Sequence, residues 1–413
     1  MQTQLADFIR DTPEGREAEE ILRKCVHCGF CTATCPTYQL LGDELDGPRG
    51  RIYLIKQVLE GAEPTEKTRL HLDRCLTCRS CESTCPSGVH YSRLLDIGRA
   101  VVAERVPRHG GEALMRRTLR EFVPRPRLFG LAMGAGRAVR GLLPKSLQDK
   151  VPTLRPAGAW PAPRHARRVI ALAGCAQPAM APSINAAAAR VLDALGISMV
   201  ELPGAGCCGA VRFHLDDAEG ARADARRNID VWWPDIEAGR IEAIVMTASG
   251  CGVQVRDYGH LLQHDPAYAE RARRVAELTR DIAELVLAEG EALRARLAAR
   301  AQPREPLAWH APCTLQHGQR IRGTVESLLT AAGYELTPVR DAHLCCGSAG
   351  TYSILQPELS GRLRANKLDA LLEGGAGRIA SANIGCITHL QAGTDKPVLH
   401  WIELIDARLG TAS

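Results

Sequence analysis

The sequence predicts an α/β protein in which an N-terminal, mainly α-helical domain precedes two duplicated α/β repeats. Two observations lead to this prediction: cysteines recur in matched sets, and short β-like runs alternate with helical stretches in the C-terminal half. The length of 413 residues is enough for two or three domains. We expect the chain to divide into residues 1–105, 106–165, 166–300 and 301–413.

The composition indicates a soluble protein with metal or redox chemistry. Hydrophobic residues make up 45% of the chain and charged residues 24%, and no run approaches the roughly 18 apolar residues of a membrane span. The first twenty residues are polar and contain no apolar segment, so we expect no secretory signal and a cytoplasmic location. In that compartment sixteen cysteines do not suggest a disulfide scaffold.

Two cysteine runs in the N-terminal region follow the same pattern. They read "CVHCGFCTATCP" and "CLTCRSCESTCP", both C-x2-C-x2-C-x3-C-P, which is typical of [4Fe–4S] binding, with the fourth cysteine serving the other cluster. The alternative is structural zinc, whose sites also use C-x2-C pairs. We assign the first cluster to Cys25, Cys28, Cys31 and Cys85, and the second to Cys35, Cys75, Cys78 and Cys81.

The segment between these two runs predicts a helix over residues 48–61, opened by proline and closed by glycine. Residues 15–105 resemble the α-helical ferredoxin domain of succinate dehydrogenase-type iron–sulfur subunits. On the predicted helix we expect Arg51 and Lys56 to be solvated charges. His27 is expected at the surface or packed against a cluster, and not as a ligand.

The remaining eight cysteines form a second duplication. In each copy one cysteine precedes an adjacent pair by 32 positions, and a last cysteine follows a β-like run. Adjacent thiolates on a glycine-rich turn can hold one metal centre together if distant segments add ligands. The alternative is that they are small buried residues. The candidate metal ligands are Cys175, Cys207, Cys208 and Cys251 in the first copy and Cys313, Cys345, Cys346 and Cys386 in the second.

This C-x31-CCG pattern resembles the cysteine-rich (CCG) domain of heterodisulfide reductase B subunits and of the iron–sulfur subunits of glycolate, lactate and anaerobic glycerol-3-phosphate oxidising complexes. More narrowly, "CVHCGFCTATCPTYQLLGDELDGPRGRIYLIKQVLEG", "GCCGAV" and "LCCGSAGTY" resemble the iron–sulfur subunits of glycolate oxidase. That resemblance implies an electron-transfer subunit without a substrate-oxidising site. It would carry electrons from a flavin-containing glycolate-oxidising partner toward a quinone or another membrane acceptor.

The two copies depart from the heterodisulfide reductase pattern at their ends. That pattern closes on C-x-x-C, whereas here the endings are "CGVQ" and "CITH", so each copy has four cysteines. The expected cofactor is an additional iron–sulfur cluster or zinc, and His310 and His389 are candidate extra ligands. The missing cysteines argue against the rival hypothesis, a thiol–disulfide reductase. Equivalent complexes for lactate or glycerol-3-phosphate remain open.

The segment joining the domains is basic. Residues 105–150 contain eleven Lys or Arg and three Asp or Glu, a net charge of +8, while the whole chain carries +5. We expect it to contact a partner or, peripherally, the inner face of the cytoplasmic membrane; the alternative is a helix packed on a neighbouring domain. Residues 151–168 are proline-rich and predict a linker. Nucleic-acid binding is not expected, because aromatic residues make up only 4% of the chain.

Overall fold

A computed structural model of the chain describes residues 1–144, 148, 151–300 and 304–410. It confirms the α/β class, with a helical N-terminal domain and two α/β repeats. Lys145, Asp149 and Lys150, which enter the charge count of the basic segment, lie outside the described residues. Within the described part of the chain, no helix combines the length and apolar character needed to cross a bilayer.

The N-terminal domain is a group of short helices around an apolar core. Prolines occupy the first turn of three of these helices, where their missing N–H costs nothing. A Cβ on Gly98 would lie 2.6 Å from Ile55 Cγ1, so glycine lets the fourth and seventh helices cross closely. The helices are α1 (Asp7–Arg10), α2 (Pro13–Lys24), α3 (Pro36–Leu41), α4 (Pro48–Leu59), α5 (Glu66–Asp73), α6 (Ser80–Thr84) and α7 (Tyr91–Arg105).

The basic segment forms two further helices, α8 (Gly110–Phe122) and α9 (Pro126–Ala138). Part of its charge joins domains: Arg108 and Arg116 each pair with Asp73 of the N-terminal domain and Asp216 of the first repeat. The side chains of both arginines are only 11% exposed. The alternative of a helix packed on neighbouring domains therefore describes this part of the segment.

The first repeat is a four-stranded parallel sheet with helices around it. Its strand order is β2-β1-β3-β4, so the chain reverses direction across the sheet between β1 and β3. The elements are β1 (Arg167–Ala171), α10 (Gln177–Met180), α11 (Ser183–Ala194), β2 (Ile197–Glu201), α12 (Ala210–Phe213), α13 (Ala218–Glu237), β3 (Ala243–Met246), α14 (Ser249–Arg256), α15 (Tyr258–Leu261), α16 (Ala269–Leu278), β4 (Thr279–Asp281), α17 (Ile282–Ala288) and α18 (Gly290–Ala298).

The second repeat has the same arrangement. Its parallel sheet runs β6-β5-β7-β8, and a single π-helical turn, Thr314–Gly318, replaces the helix that follows the first strand. The elements are β5 (Glu305–Trp309), α19 (Thr324–Ala331), β6 (Tyr334–Thr337), α20 (Tyr352–Leu355), α21 (Pro357–Leu372), β7 (Ile379–Ser381), α22 (Ile384–Gln391), β8 (Val398–His400) and α23 (Trp401–Leu409).

The two repeats share one hydrophobic core. The C-terminal helix α23 of the second repeat packs on α11 of the first, and residues of both sheets belong to the same buried cluster. Between these helices the Arg190 guanidinium donates to both carboxylate oxygens of Asp406 at 2.6–3.1 Å, and to the carbonyls of Ala157 and Ala159. The two repeats are therefore packed together through a shared core.

The substitution Asp406→Asn removes the negative charge that faces the buried guanidinium of Arg190. We expect it to lower the free energy of unfolding by about 3 kcal/mol. Asp235→Asn is the control, because its partner Arg240 is 51% exposed and exposed pairs contribute about 0–1 kcal/mol. Urea unfolding of the anaerobically purified chain measures both. Equal midpoints for the two variants would contradict a structural role for the Arg190–Asp406 pair.

Candidate functional site

The first cysteine set lines a pocket at the surface of the N-terminal domain. Around it lie Cys25, Cys28, Cys31 and Cys85, with Cys81 at its edge. Cys85 comes from the second run, so the pocket brings together cysteines that are more than fifty residues apart. Cys28 is exposed, whereas Cys25 is buried. The assignment of these thiols to one cluster stays a prediction, but the pocket contains the expected four.

The second cysteine set lines a neighbouring pocket of the N-terminal domain. Cys35, Cys75, Cys78 and Cys81 surround it, and Cys35 comes from the first run. Thr37 Oγ1 lies 3.3 Å from Cys35 Sγ. The crossing of the fourth cysteine from each run to the other pocket is the arrangement found in two-cluster ferredoxins.

Both runs use the same unusual backbone. The second and fourth residues after the first cysteine are left-handed in each: His27 (φ 56°) and Gly29 (φ 85°), then Thr77 (φ 52°) and Arg79 (φ 59°). Such turns point successive N–H groups into one concavity, which suits an anionic centre. Thr77 N donates to Cys75 Sγ at 3.4 Å. Three of these four residues are not glycine, so the backbone accepts strain in order to form the pocket.

A buried cation lies beside the second pocket, and the expectation that Arg51 is solvated was wrong. Arg51 is 1% exposed and lines the pocket. Its guanidinium donates to His71 O at 2.7 Å, to Thr37 Oγ1 at 3.2 Å and to Asp46 Oδ1 at 3.4 Å. Lys56, on the same helix, is partly buried and pairs with Glu60. Helical spacing alone did not reveal which side of α4 meets the metal pocket.

Burial makes three thiols of these pockets poor acids. Burial raises the pKa of Cys31 to about 11 and holds the pKa values of Cys78 and Cys81 well above the ordinary range. Clustered buried thiols ionise readily only when a cation joins them, because isolated buried charge is costly. The donor set therefore fits metal ions or iron–sulfur clusters.

In the first repeat, four cysteines converge at the carboxyl ends of three strands. Cys175 follows β1, the Cys207–Cys208 pair follows β2, and Cys251 follows β3, which places them at the point where strand order reverses. Hydrogen bonding to Cys207 and burial raise the pKa of Cys175 well above its ordinary value. The Tyr258 hydroxyl donates to Cys208 O at 2.9 Å and thereby supports the pair.

In the second repeat the same edge holds Cys313, Cys345, Cys346 and Cys386. The Sγ atoms of Cys313 and Cys345 are 3.9 Å apart. All four thiols are buried. The structure thus brings together every cysteine that the sequence proposed for this site.

A glycine after each cysteine pair makes the turn possible. Gly209 and Gly347 have φ of 92° and 89°, and each donates its N–H to Sγ of the first cysteine of its pair at 3.4 Å. A Cβ would lie 2.9 Å from Ala221 O at Gly209 and 2.7 Å from Ser360 O at Gly347. The left-handed conformation and the nearby carbonyl oxygens both exclude residues larger than glycine at these two positions. The backbone therefore requires the glycine of each CCG sequence.

The two candidate histidines occupy different places. A ring nitrogen of His310 and the Sγ atoms of Cys346 and Cys386 lie within 4.8 Å of one another. Burial lowers the pKa of His310 to about 3, so its ring is neutral at neutral pH. His389 instead places Nε2 3.2 Å from Ser360 Oγ, beneath the turn at Gly347. His27 lines the first pocket with a partly buried ring.

The cysteine sites adjoin one another. Cys78 of the second pocket packs against the buried cluster that contains Cys313 and Cys345 of the second repeat. Asn383 links the two repeats, because its Oδ1 accepts from Gly250 N at 3.3 Å and its Nδ2 donates to Cys386 Sγ at 3.6 Å. Sequence spacing gave no signal for either contact, since both join domains.

Family comparisons agree with this geometry. A model described as a 4Fe-4S dicluster domain matches residues 21–89, and one described as a cysteine-rich domain matches residues 169–256 and 307–391. A solved structure, described as a hypothetical protein from Helicobacter pylori, is similar in fold with a TM-score of 0.53, covering 96% of this chain and 72% of its own at 11% identity. Iron–sulfur cofactors are therefore part of this protein.

Full-length relatives identify the family. The glycolate oxidase iron–sulfur subunit of Escherichia coli is 55% identical over 99% of both chains, and a probable glycolate oxidase iron–sulfur subunit of Bacillus subtilis is 31% identical, covering 94% of this chain and 92% of its own. Lactate utilization protein A of an Exiguobacterium species is 26% identical over 56% of this chain and 94% of its own. The chain belongs to the family of glycolate oxidase iron–sulfur subunits.

Proposed function

We propose that the chain is the electron-transfer subunit of a glycolate-oxidising complex, receiving electrons from a flavin-containing partner and passing them toward a quinone or another membrane acceptor. The observation that carries this proposal is the line of adjoining cysteine sites, which begins at exposed Cys28 and ends at the buried thiols of the second repeat. The glycolate specificity rests on the relatives that share nearly the whole chain.

The surface around the first pocket suits exchange with another redox protein. Beside exposed Cys28, Val26 is 67% and Phe30 is 60% exposed, so an apolar rim surrounds the thiol closest to solvent. Exposed apolar residues next to a functional group are typical of a protein contact. We assign this surface to the flavin-containing partner.

From this surface the thiol sets lead inward. The first and second pockets share Cys81 at their edges, and Cys78 leads from the second pocket to Cys313 and Cys345. The [4Fe–4S] clusters, when bound, supply one-electron chemistry over a wide range of potentials. The chain's part is to hold the thiols in this order, with all four thiols of the second repeat buried.

Arg51 adjusts the second site. Its buried charge lies beside Cys35 and Cys75, and Thr37 joins the guanidinium to Cys35. A positive charge in a low-dielectric pocket favours the more negative, reduced form of an anionic centre. We therefore infer that Arg51 raises the reduction potential there and makes transfer from the first to the second site favourable.

The connecting helices offer a membrane contact. Leu114 on α8, Leu131 on α9 and Leu142, which follows α9, are 68%, 72% and 88% exposed, and α8 and α9 also carry the exposed side chains of Arg117 and Arg127. Apolar side chains with interspersed arginines bind the interface of anionic bilayers. We propose that this segment, and not the arginines bonded to Asp73, holds the cytoplasmic protein peripherally at the inner face of the membrane.

Disulfide reduction is less well supported than electron transfer. The cysteines of the second repeat are at most 8% exposed, so a disulfide substrate could not reach a thiol without rearrangement of the site. Thiol–disulfide exchange needs access to the attacking sulfur.

Cys28→Ser is expected to remove one cluster, about four iron atoms per chain, and to abolish glycolate-dependent reduction of a quinone by the reconstituted complex. Glycolate oxidation by the flavin partner with an artificial dye should survive, because the dye bypasses this chain. Lys67→Ser, at an exposed position outside the cysteine sets, is the control. An unchanged iron content, or quinone reduction at the parent rate, would contradict the proposal.

Arg51→Gln is expected to lower the reduction potential of the centre bound by the second cysteine set and to destabilise the chain by about 3 kcal/mol, since Asp46 loses a buried partner. Arg51→Lys keeps the charge and should shift the potential less. Potentiometric titration followed by EPR measures both. A potential that is unchanged, or that rises, in Arg51→Gln would refute the assigned role.

Leu131→Asp and Leu142→Asp are expected to reduce binding of the chain to phosphatidylglycerol vesicles severalfold, with the remaining binding lost at high salt. Leu287→Asp is the control, because Leu287 is 45% exposed on α17, far along the chain from the basic segment. Sedimentation with vesicles gives the bound fraction. Equal binding by all three variants would show that this segment is not the membrane contact.

A further inference from the structure

The two cysteine-rich repeats differ at two neighbouring positions beside their matching cysteines. His310 lies three residues before Cys313, and the corresponding position before Cys175 is Leu172. Ser381 lies five residues before Cys386, and the corresponding position before Cys251 is Met246. The second site thus has a polar pair where the first has an apolar pair, and all four residues are buried.

The polar pair orients the histidine toward the thiols. His310 Nδ1 lies 3.0 Å from Ser381 Oγ, which leaves Nε2 as the second ring nitrogen. Among the described residues Nε2 has no hydrogen-bond partner, although His310 is only 2% exposed. A buried ring nitrogen without a partner is costly, and a metal ion would satisfy it.

The position of the ring fits metal ligation. Its ligand atom and the Sγ atoms of Cys346 and Cys386 lie within 4.8 Å of one another, close enough to converge on one ion. Metal-bound histidines usually bond their other ring nitrogen to an oxygen that sets the tautomer, and Ser381 occupies that place. In the first repeat Leu172 and Met246 belong to the apolar core and can supply no imidazole or hydroxyl.

We propose that His310 is a ligand of the metal centre in the second repeat, which makes that centre a mixed thiolate and imidazole site while the first repeat's is bound by thiolates alone. This inference rests on the proposal that the CCG repeats bind metal. Where neutral His310 takes the place of one of the four thiolates, the centre carries one negative charge fewer, so an iron centre there would have a higher potential, or a zinc centre a smaller net negative charge, than an all-thiolate site would. The duplicated sites are chemically distinct.

The test uses the full chain, labelled with [15N]histidine and purified anaerobically. Pulsed EPR of the reduced protein detects histidine nitrogen bound to iron, and zinc-edge X-ray absorption detects nitrogen bound to zinc. The variant His310→Leu with Ser381→Met installs the apolar pair that the first repeat already accommodates, which limits misfolding. His389→Gln is the control, because that ring faces Ser360.

We expect metal-bound histidine nitrogen in the parent protein and in His389→Gln, and its loss in the His310→Leu/Ser381→Met variant. No histidine nitrogen on either metal in the parent, or a signal that survives in the double variant, would overturn the proposal. Iron and zinc content tests metal binding by the repeats separately, because a parent chain with metal only in the N-terminal clusters would refute it. Electron transfer through the N-terminal sets is tested independently with Cys28→Ser.

Discussion

The convergence of thiols from distant segments on shared pockets is the constraint on which the structure depends. Each N-terminal pocket is lined by cysteines from both runs, and each repeat collects cysteines from the ends of three strands. Grouped, buried thiols are stable as anions only around a cation, so ligation and folding become one process. The turns that bring the thiols together contain left-handed backbone. It occurs at residues after Cys25 and Cys75 and at the glycines after the CCG pairs.

Polar contacts hold the N-terminal domain against both repeats. Arg108 and Arg116 join the N-terminal domain to the first repeat, while Ser83 Oγ lies 3.0 Å from His317 Nδ1 and the Tyr352 hydroxyl donates to Arg74 O at 3.2 Å. These contacts lie next to the second cysteine set and keep Cys78 against the second repeat. A flexible tether would allow the gap between the sites to vary, and transfer between buried centres requires a fixed approach.

Much of this arrangement was predictable from the sequence, because the spacing of cysteines is set by the geometry of the metal centre that they bind. The duplication with its 32-residue offset predicted two like repeats, and the runs entering Cys175 and Cys313 predicted strands that the structure confirms as β1 and β5. Contacts between domains were not predictable, since no local pattern marks them. The sequence predicts Arg51 at the surface, because the helical spacing of apolar residues does not show that a charged side chain is buried beside a pocket.

The central claim is that all four thiol sets are metal sites, and metal stoichiometry tests it most directly. Iron, acid-labile sulfide and zinc should be measured on the anaerobically purified full chain before and after treatment with a strong chelator. We expect about eight iron and eight sulfide atoms for the two N-terminal clusters, further iron or zinc for the repeats, and unfolding as metal is removed. A chain that stays fully folded without metal would contradict it.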